Sequence, residues 1–259
     1  MHACAENRIR LFHFSTCEVY GRTLPGYLKG VDIAQDDPLF TMREDDTPLI
    51  MGPIHNQRWC YAAAKQLLER LIFAYHHERG LEFTIVRPFN FLGPRMDYVA
   101  GIEGEGTPRV LACFASALLN GEPIKVVDGG HSRRSFIYIE DATELISEML
   151  ERPDTVKNQI FNIGNPNNEV TVRELAYTMR SVWAEITGDR RFEEHPVVAV
   201  DHRDFYGPGY EDCDRRVPSL EKVQRLIGWE PKTDLPSMLT TTLRYYYERF
   251  GNELPSRLL

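Results

Sequence analysis

The 259-residue sequence lacks the marks of several protein classes. Its five cysteines are odd in number, widely spaced and without a CxxC pair, which excludes a disulfide framework and a zinc site. No apolar run approaches the roughly 18 residues that span a bilayer, and the opening residues do not resemble a signal peptide. We therefore expect a soluble cytoplasmic protein with reduced thiols, no metal and no membrane partner.

An excess of positive charge is also missing. The chain has 30 Lys and Arg against 38 Asp and Glu, and its net charge is -8. Such a balance disfavours nonspecific binding to nucleic acid, although a local cationic pocket for an anionic ligand remains compatible with it. Nucleic acid is therefore not an expected partner.

Strand and helix patterns alternate along the chain. Strands are predicted near residues 10–14, 83–87, 124–127, 135–139 and 159–163. Helices are predicted over about 58–78, 109–120, 141–150, 171–187 and 235–250. This alternation predicts an α/β fold with a parallel sheet covered on both faces. Residues 190–217 are polar and aromatic, and they are predicted to form a loop-rich region close to a ligand.

A glycine-rich turn between a first strand and a first helix, as in dinucleotide-binding folds, is not found. The glycine cluster at 101–106 follows a loop pattern and is interpreted as a flexible loop. Residues 1–6 look like the end of a helix whose preceding strands are missing. We expect the chain to begin in the middle of a fold and to be inactive by itself.

Tyr61 and Lys65 are four residues apart in a helical pattern, which places both side chains on one helix face. A phenol with an unperturbed pKa of about 10 is a poor base at neutral pH, but a nearby ammonium favours the phenolate. Thr16 follows the first predicted strand, where its hydroxyl is placed to hold the same substrate oxygen. The pattern predicts an acid/base site for hydride transfer; the alternative is an ordinary amphipathic helix.

Five separated stretches resemble a known family in their order and content. They are residues 14–21 (FSTCEVYG), Tyr61 with Lys65, 87–95 (RPFNFLGPR), 135–142 (SFIYIEDA) and 226–231 (LIGWEP). The chain resembles the extended short-chain dehydrogenase/reductases, and among them the nucleotide-sugar enzymes that decarboxylate UDP-glucuronate. The resemblance implies a Rossmann-like doubly wound parallel sheet lacking its N-terminal strands, with a small C-terminal substrate-binding lobe.

The same resemblance implies how the chain is divided. A single unit over 1–259 is expected, with a partial Rossmann core at about 1–90 and 120–165. The substrate-binding lobe is expected at about 91–119 and 166–259. Family members are often homodimers through paired helices, so a homodimer is expected if the complete fold is present.

The implied cofactor is NAD and the implied substrate is a UDP-sugar. In such a reaction Tyr61 deprotonates the 4-hydroxyl of UDP-glucuronate, and the resulting 4-keto sugar loses carbon dioxide. Glu18 and Arg216 match the residues that the family uses as a base and a proton donor around C5. Arg58 is placed as a fork for a carboxylate or a sugar oxygen. The alternative is that these charges are solvated surface groups.

Cys17 is implied to separate two products. Direct reduction of the keto sugar gives UDP-xylose, whereas a retro-aldol step and ring closure give UDP-apiose, and a thiol can assist that route. The alternative is a small apolar filler. Cys60, next to Tyr61 but about 100° around the helix, is interpreted as a packing residue.

The family positions also imply binding residues. Pro88 is expected to face the nicotinamide beside Tyr61 and Lys65, because ligands lie at the carboxyl ends of parallel strands. The expected substrate-binding residues are Asn90, Arg109, Lys125, Val126, Val127, Asp128, Gly129, Gly130, Arg133, Arg134 and Tyr210. Arginines can neutralise a diphosphate, and glycines allow close backbone approach. A plain turn and a solvated cationic face are the alternative.

Three other functions stay open on the sequence. A 4-epimerase or dehydratase of another nucleotide sugar shares the tyrosine, lysine and threonine, but does not need Glu18 or Arg216 in these contexts. A non-catalytic member binds a ligand or a partner protein, which loss of Tyr61 or Lys65 would favour; both are present. A fragment that is inert alone is the third.

Overall fold

The structure is a computed structural model that describes residues 1–28, 33–34 and 37–251. Its helices are α1 (His2–Glu6), α2 (Leu24–Tyr27), α3 (Cys60–Arg79), α4 (Val110–Asn120), α5 (Ile139–Glu151), α6 (Pro153–Val156), α7 (Val172–Thr187), α8 (His202–Tyr206), α9 (Glu221–Ile227) and α10 (Leu235–Phe250). Its strands are β1 (Leu11–Phe14), β2 (Thr41–Met42), β3 (Phe83–Pro88), β4 (Asn90–Leu92), β5 (Ile124–Val127), β6 (Arg133–Tyr138), β7 (Gln159–Ile163), β8 (Glu169–Thr171), β9 (Val197–Val200) and β10 (Val217–Pro218). Among these described helices, none has the length and apolar character needed to cross a membrane.

The strands β1, β3 and β7 form a parallel sheet in the order β1-β3-β7. Successive side chains of a strand point to opposite faces, so each apolar run supplies both. Ile85 packs with Ile72 of α3 on one face, and Val86 packs with Leu145 of α5 on the other. The predicted parallel sheet with helices on both faces is therefore confirmed.

A second core holds α4, α7 and α10 together. Its buried side chains include Phe114 of α4, Trp183 of α7 and Leu243 of α10. These helices cover two small sheets, in which β4 pairs with β6 and β6 pairs with β8, while β5 pairs with β9. The prediction of a loop-rich region over residues 190–217 is wrong for β9. The local sequence could not reveal this strand, because its partner β5 lies some 70 residues away and two of its four residues are exposed.

The ends of two helices agree with the residues found there in the sequence. Thr171 caps α7 by accepting a hydrogen bond from the Glu174 amide at 3.0 Å, and the Glu174 carboxylate accepts one from the Thr171 amide at 2.8 Å. These two hydrogen bonds form a capping box. The helix α10 has the predicted bounds. The short helix α9, with only seven residues, was not predicted.

A buried ion pair fixes α3 against the sheet. Arg87 of β3 donates to Glu69 through Nε at 3.1 Å and Nη2 at 2.7 Å, and Ser15 donates to the same carboxylate at 2.5 Å. Glu69 follows Lys65 by one helical turn, and Ser15 precedes Thr16. The pair therefore sets the rotation of α3 relative to β1 and β3.

Removing the carboxylate of this pair is expected to destabilise the protein strongly. Glu69→Ala leaves the Arg87 guanidinium buried and unpaired, which costs about 3–5 kcal/mol. Urea unfolding measures the change. Glu78→Ala, an exposed position on the same helix, is the control and is expected to change stability by less than about 0.5 kcal/mol. Equal small effects of the two variants would contradict the assigned role of the ion pair.

Candidate active site

Tyr61 and Lys65 lie on the same side of the first turns of α3, as predicted. The Lys65 ammonium is 5.9 Å from the centre of the Tyr61 ring. It also donates to the Phe14 carbonyl of β1 at 2.8 Å, which ties the lysine to the end of the strand. Tyr61 is 52% exposed. The phenol is therefore accessible to a ligand while a fixed cation lies beside it.

Thr16 is held at the end of β1 by its own turn. Its Oγ1 accepts a hydrogen bond from the Glu18 amide at 3.2 Å and so caps the short helical turn Cys17–Tyr20. The hydroxyl oxygen is engaged as an acceptor, which leaves its hydrogen to donate. Thr16 can thus act as a donor to an oxygen near Lys65 and Tyr61.

Glu18 lies between two arginines from distant parts of the chain. Arg58 Nη2 is 2.6 Å from one carboxylate oxygen, and Arg216 forms an ion pair with the other. Arg216 also donates to the Cys17 carbonyl at 3.0 Å. Burial raises the pKa of Glu18, but the charge of Arg216 and then that of Arg58 outweigh it and lower the pKa to about 2.

This arrangement bears on the predicted base and proton donor. A carboxylate with a pKa of about 2 is a weak base while both arginines hold it. Burial lowers the pKa of Arg216, but the neighbouring Cys213 and Glu18 outweigh burial and raise it, so the guanidinium keeps its proton. Glu18 can therefore act as a base only when the arginines leave it for another anion, and Arg216 is better suited to bind an anion than to give up its proton.

The cysteines near the site differ in burial. Cys17 is buried, and burial raises the pKa of its thiol to about 11, so the sulfur stays protonated near neutral pH. A neutral thiol suits proton transfer better than nucleophilic attack. Cys60 is exposed at the start of α3, so its interpretation as a packing residue is wrong. The first turn of α3 leaves that side of the helix uncovered.

Tyr210 is part of an aromatic stack. Its ring stacks on Tyr206 with centroids 4.2 Å apart and planes inclined by 15°. Burial raises the pKa of Tyr210, Asp212 adds to the rise, and the charges of Arg134 and Arg58 oppose it. Two stacked phenols next to cations form a surface suited to an aromatic base with an attached anion.

The Asp128-Gly129-Gly130 turn was predicted to approach a ligand. In the structure its close approach is to Arg173, because a Cβ atom at Gly130 would lie 2.9 Å from the Arg173 backbone nitrogen. Arg173 also donates to the Gly129 carbonyl at 2.7 Å. Packing against Arg173 therefore explains these glycines, and their approach to a ligand stays a prediction.

Asp128 also faces a histidine. It contacts His202 Nδ1 at 2.9 Å, and Asp201 brings the possible metal-binding atoms of the three side chains within 4.8 Å of one another. Both aspartates are exposed, and exposed acidic groups commonly lie close together without an ion. We assign no metal to this group.

The other predicted binding residues have partners of their own. Arg134 donates to the Cys213 carbonyl at 2.8 Å, and Arg133 lies 3.3 Å from Glu169. Arg109 pairs with Asp97 at 3.1 Å, and Asn90 donates to the Ser135 carbonyl at 2.9 Å. On β5, Lys125 is exposed, Val126 is buried and Val127 is half-buried. Pro88 ends β3 opposite Ile163. Their roles toward a ligand stay predictions.

Sequence reasoning missed Glu211. Its carboxylate accepts hydrogen bonds from Trp59 Nε1 at 2.7 Å and Asn56 Nδ2 at 2.9 Å, and it pairs with Arg22. Only the tryptophan at the start of the predicted helix, next to Arg58, signals that an acceptor is needed there. That acceptor comes from a segment 152 residues away, which no local pattern could reveal.

The geometry can be compared with known proteins. The model of the NAD dependent epimerase/dehydratase family matches residues 1–164, which is more than half of the chain. The chain belongs to this family. The expected resemblance to extended short-chain dehydrogenase/reductases of nucleotide-sugar metabolism is thereby confirmed.

Curated relatives make the comparison more specific. The UDP-D-apiose/UDP-D-xylose synthase of Oryza sativa subsp. japonica is 52% identical over 258 residues, covering 98% of this chain and 65% of the rice protein. UDP-D-apiose/UDP-D-xylose synthase 2 of Arabidopsis thaliana is 51% identical, covering 97% of this chain and 65% of that protein. The 259-residue chain therefore spans slightly less than two thirds of the length of these relatives.

Solved structures support the fold. The PbgP3 protein of Burkholderia pseudomallei superposes with a TM-score of 0.77 at 30% identity, over 97% of this chain and 67% of that one. The dTDP-glucose 4,6-dehydratase of Bacillus anthracis, solved with NAD, superposes with a TM-score of 0.70 at 19% identity, over 98% of this chain and 66% of that one. The predicted Rossmann-like α/β class is confirmed.

The paired state of Glu18 predicts how stability depends on pH. Its pKa falls from a usual 4.5 to about 2 in the folded protein, so its stabilisation is complete above pH 4.5 and is lost as the pH falls toward 2. The difference in unfolding free energy between wild type and Glu18→Gln is expected to shrink by about 3 kcal/mol over that range.

Urea unfolding at a series of pH values measures this difference. Glu221→Gln removes an exposed carboxylate that pairs with Arg43 at 3.1 Å. Its difference from wild type is expected to stay within about 0.5 kcal/mol throughout. A Glu18→Gln difference that does not change with pH would show that the arginines do not hold Glu18 in solution.

Proposed function

We propose that this site takes UDP-glucuronate, oxidises it at C4 and releases its carboxylate as carbon dioxide, giving UDP-apiose, UDP-xylose or both. The observation that carries the proposal is the convergence of Arg58 and Arg216 on one carboxylate, that of Glu18. A pair of arginines built around one carboxylate can hold another, because the guanidinium fork matches carboxylate geometry. The names of the plant relatives support the same substrate class.

The described residues fit one half of NAD. Tyr61, Lys65 and the end of β3 at Pro88 form the edge at which open α/β sheets place a ligand. When bound, NAD supplies an acceptor for the hydrogen and electron pair that leave C4. The described residues contain no glycine-rich turn between a strand and a helix, so the pyrophosphate has no counterpart among them.

Tyr61 and its neighbours handle the proton of the 4-hydroxyl. Tyr61 accepts this proton beside the Lys65 ammonium, which lies 5.9 Å from the centre of its ring, and Thr16 donates a hydrogen bond to the same sugar oxygen. The Phe14 carbonyl holds Lys65 in place through the 2.8 Å hydrogen bond. These three side chains therefore fix the position at which the proton is removed.

The arginine pair handles the carboxylate. When the substrate carboxylate takes Arg58, Arg216 or both, Glu18 loses a counter-charge and its pKa rises toward the range of a working base. Arg216 then lies next to the carbon that loses carbon dioxide. Cys17, kept protonated by burial, is placed beside Glu18 to return a proton along the route to UDP-apiose.

Ligand discrimination tests the substrate class without turnover. Calorimetric titration of the chain is expected to show about 10-fold tighter binding of UDP-glucuronate than of UDP-glucose, because one charge-assisted contact contributes roughly 1.5–3 kcal/mol. Arg58→Gln is expected to abolish this preference and to leave UDP binding unchanged. Arg43→Gln, an exposed arginine, is the control. Equal affinity of the wild type for both sugars would refute the proposal.

Turnover tests the role of Tyr61. The chain is joined to the part of the rice relative that it does not match, and release of carbon dioxide from UDP-glucuronate is followed with NAD supplied. Tyr61→Phe is expected to lower the rate by about 10²–10⁴-fold, the usual contribution of an acid/base group. UDP affinity is expected to stay unchanged. Parallel loss of UDP binding and rate would show that Tyr61 is structural.

A 4-epimerase or dehydratase is the alternative within the family. Those reactions use the Tyr61, Lys65 and Thr16 positions but do not remove a carboxylate. The discrimination experiment separates them, because such an enzyme has no reason to prefer UDP-glucuronate over UDP-glucose. The paired arginines favour the decarboxylase.

We also propose a homodimer and a cytosolic location. Helix α3 leaves Leu67, Leu71 and Phe73 exposed, and such apolar groups on one helix favour contact with another chain. The resemblance to enzymes that pair through this helix supports a second copy as the partner.

All five cysteines are free, which supports a reducing compartment and hence the cytosolic location.

A further inference from the structure

The Glu211 cluster joins three segments that are distant in sequence. We define it as Arg22, Asn56, Trp59 and Glu211. Glu211 Oε2 accepts from Trp59 at 2.7 Å and from Asn56 at 2.9 Å, and the carboxylate pairs with Arg22. The Glu211 and Arg22 side chains are only 18% and 15% exposed. A half-buried carboxylate with three donors is a strong, directional contact.

The backbones of these segments also approach each other closely. A Cβ atom at Gly52 would overlap both the Trp59 indole nitrogen and the Glu211 carboxylate. A Cβ atom at Gly209 would lie 3.2 Å from the His55 carbonyl. The segment 209–216 therefore lies directly against the loop that leads into α3.

Each of the two segments carries one arginine of the Glu18 pair. Arg58 is adjacent to Trp59, and its guanidinium lies 5.5 Å from the centre of the Trp59 ring. Arg216 follows Glu211 by five residues. Other contacts also hold the segment 209–216 in place. Arg134 donates to the Cys213 carbonyl, and Arg215 pairs with Glu169 at 2.6 Å. The Glu211 cluster links this segment directly to the Arg58 loop, whereas Glu18 links the two through its ion pairs with Arg58 and Arg216.

We infer that Glu211 is a positioning residue that locks the Arg58 loop to the segment 209–216, so that Arg58 and Arg216 present their guanidinium groups to one carboxylate. Glu211 touches neither Glu18 nor the proposed sugar position; it acts through Trp59 and the backbone. The role in substrate binding rests on the proposed function. The hydrogen bond by which Glu211 holds Trp59 does not depend on the proposed function.

The cluster can be altered without opening the hydrophobic core. Glu211 borders a polar cavity of about 190 Å³ whose lining also includes Arg22, Asp212 and Asp214. Water can enter such a cavity and solvate Arg22 when the carboxylate is removed. Glu211→Ala is therefore expected to fold, with a melting temperature within about 4 °C of the wild type.

Tryptophan quenching tests the lock in the chain itself. Trp59, Trp183 and Trp229 are all buried, with exposures of 4%, 0% and 3%. Glu211→Ala is expected to raise the acrylamide quenching constant about twofold by releasing Trp59. The added Trp59→Phe substitution is expected to remove the increase, which assigns it to Trp59. Glu221→Ala is the control and is expected to match the wild type. Unchanged quenching in Glu211→Ala would overturn the inference.

Ligand titration tests what the lock positions. Glu211→Ala is expected to weaken UDP-glucuronate binding about 10-fold and to leave UDP binding unchanged. Glu211→Gln keeps one oxygen for Trp59 and is expected to recover part of the affinity. Equal weakening of UDP and UDP-glucuronate would show a general structural effect and contradict the positioning role. If the wild type shows no preference for UDP-glucuronate, the proposed function fails, while quenching still decides whether Glu211 holds Trp59.

Discussion

The Glu18 carboxylate, held by Arg58 and Arg216, is the contact on which the candidate site depends. One arginine comes from the loop before α3 and the other from the segment that follows the stacked tyrosines, so the ion pairs close a ring of otherwise separate segments. Both guanidinium groups are largely buried, and a buried cation requires an anion. In the absence of substrate Glu18 is that anion. Under the proposed function a substrate carboxylate takes the place of Glu18, whose pairing with the arginines keeps its pKa low.

A second buried ion pair positions the helix and strands that carry Tyr61, Lys65 and Thr16. Glu69 and Arg87 join α3 to β3, and Ser15 adds the end of β1 to the same carboxylate. Tyr61 and Lys65 project from the first turns of α3, and Thr16 follows Ser15. The geometry of the proposed proton transfer is therefore set by a polar network in the core, whereas the geometry around the carboxylate is set by ion pairs nearer the surface.

The comparisons and the geometry agree on the class of chemistry. Membership of the NAD dependent epimerase/dehydratase family accounts for the tyrosine, the lysine and the parallel sheet. The features that many members do not need, namely Glu18 with its two arginines and the buried Cys17, are those that favour the decarboxylating branch. The relatives that share about half of the sequence are named UDP-D-apiose/UDP-D-xylose synthases.

The sequence by itself determined most of the helices and strands and the placement of Tyr61 beside Lys65, because these depend on local order. The spacing of Tyr61 and Lys65, the capping box at Thr171 and the apolar runs of β1, β3 and β7 act within a few residues, so their outcome could be predicted. The tertiary structure decided the pairing of β9, the two arginines on Glu18 and the position of Glu211 against Trp59. Those contacts join residues roughly 40 to 200 positions apart, and only the packed chain brings such groups within hydrogen-bonding distance.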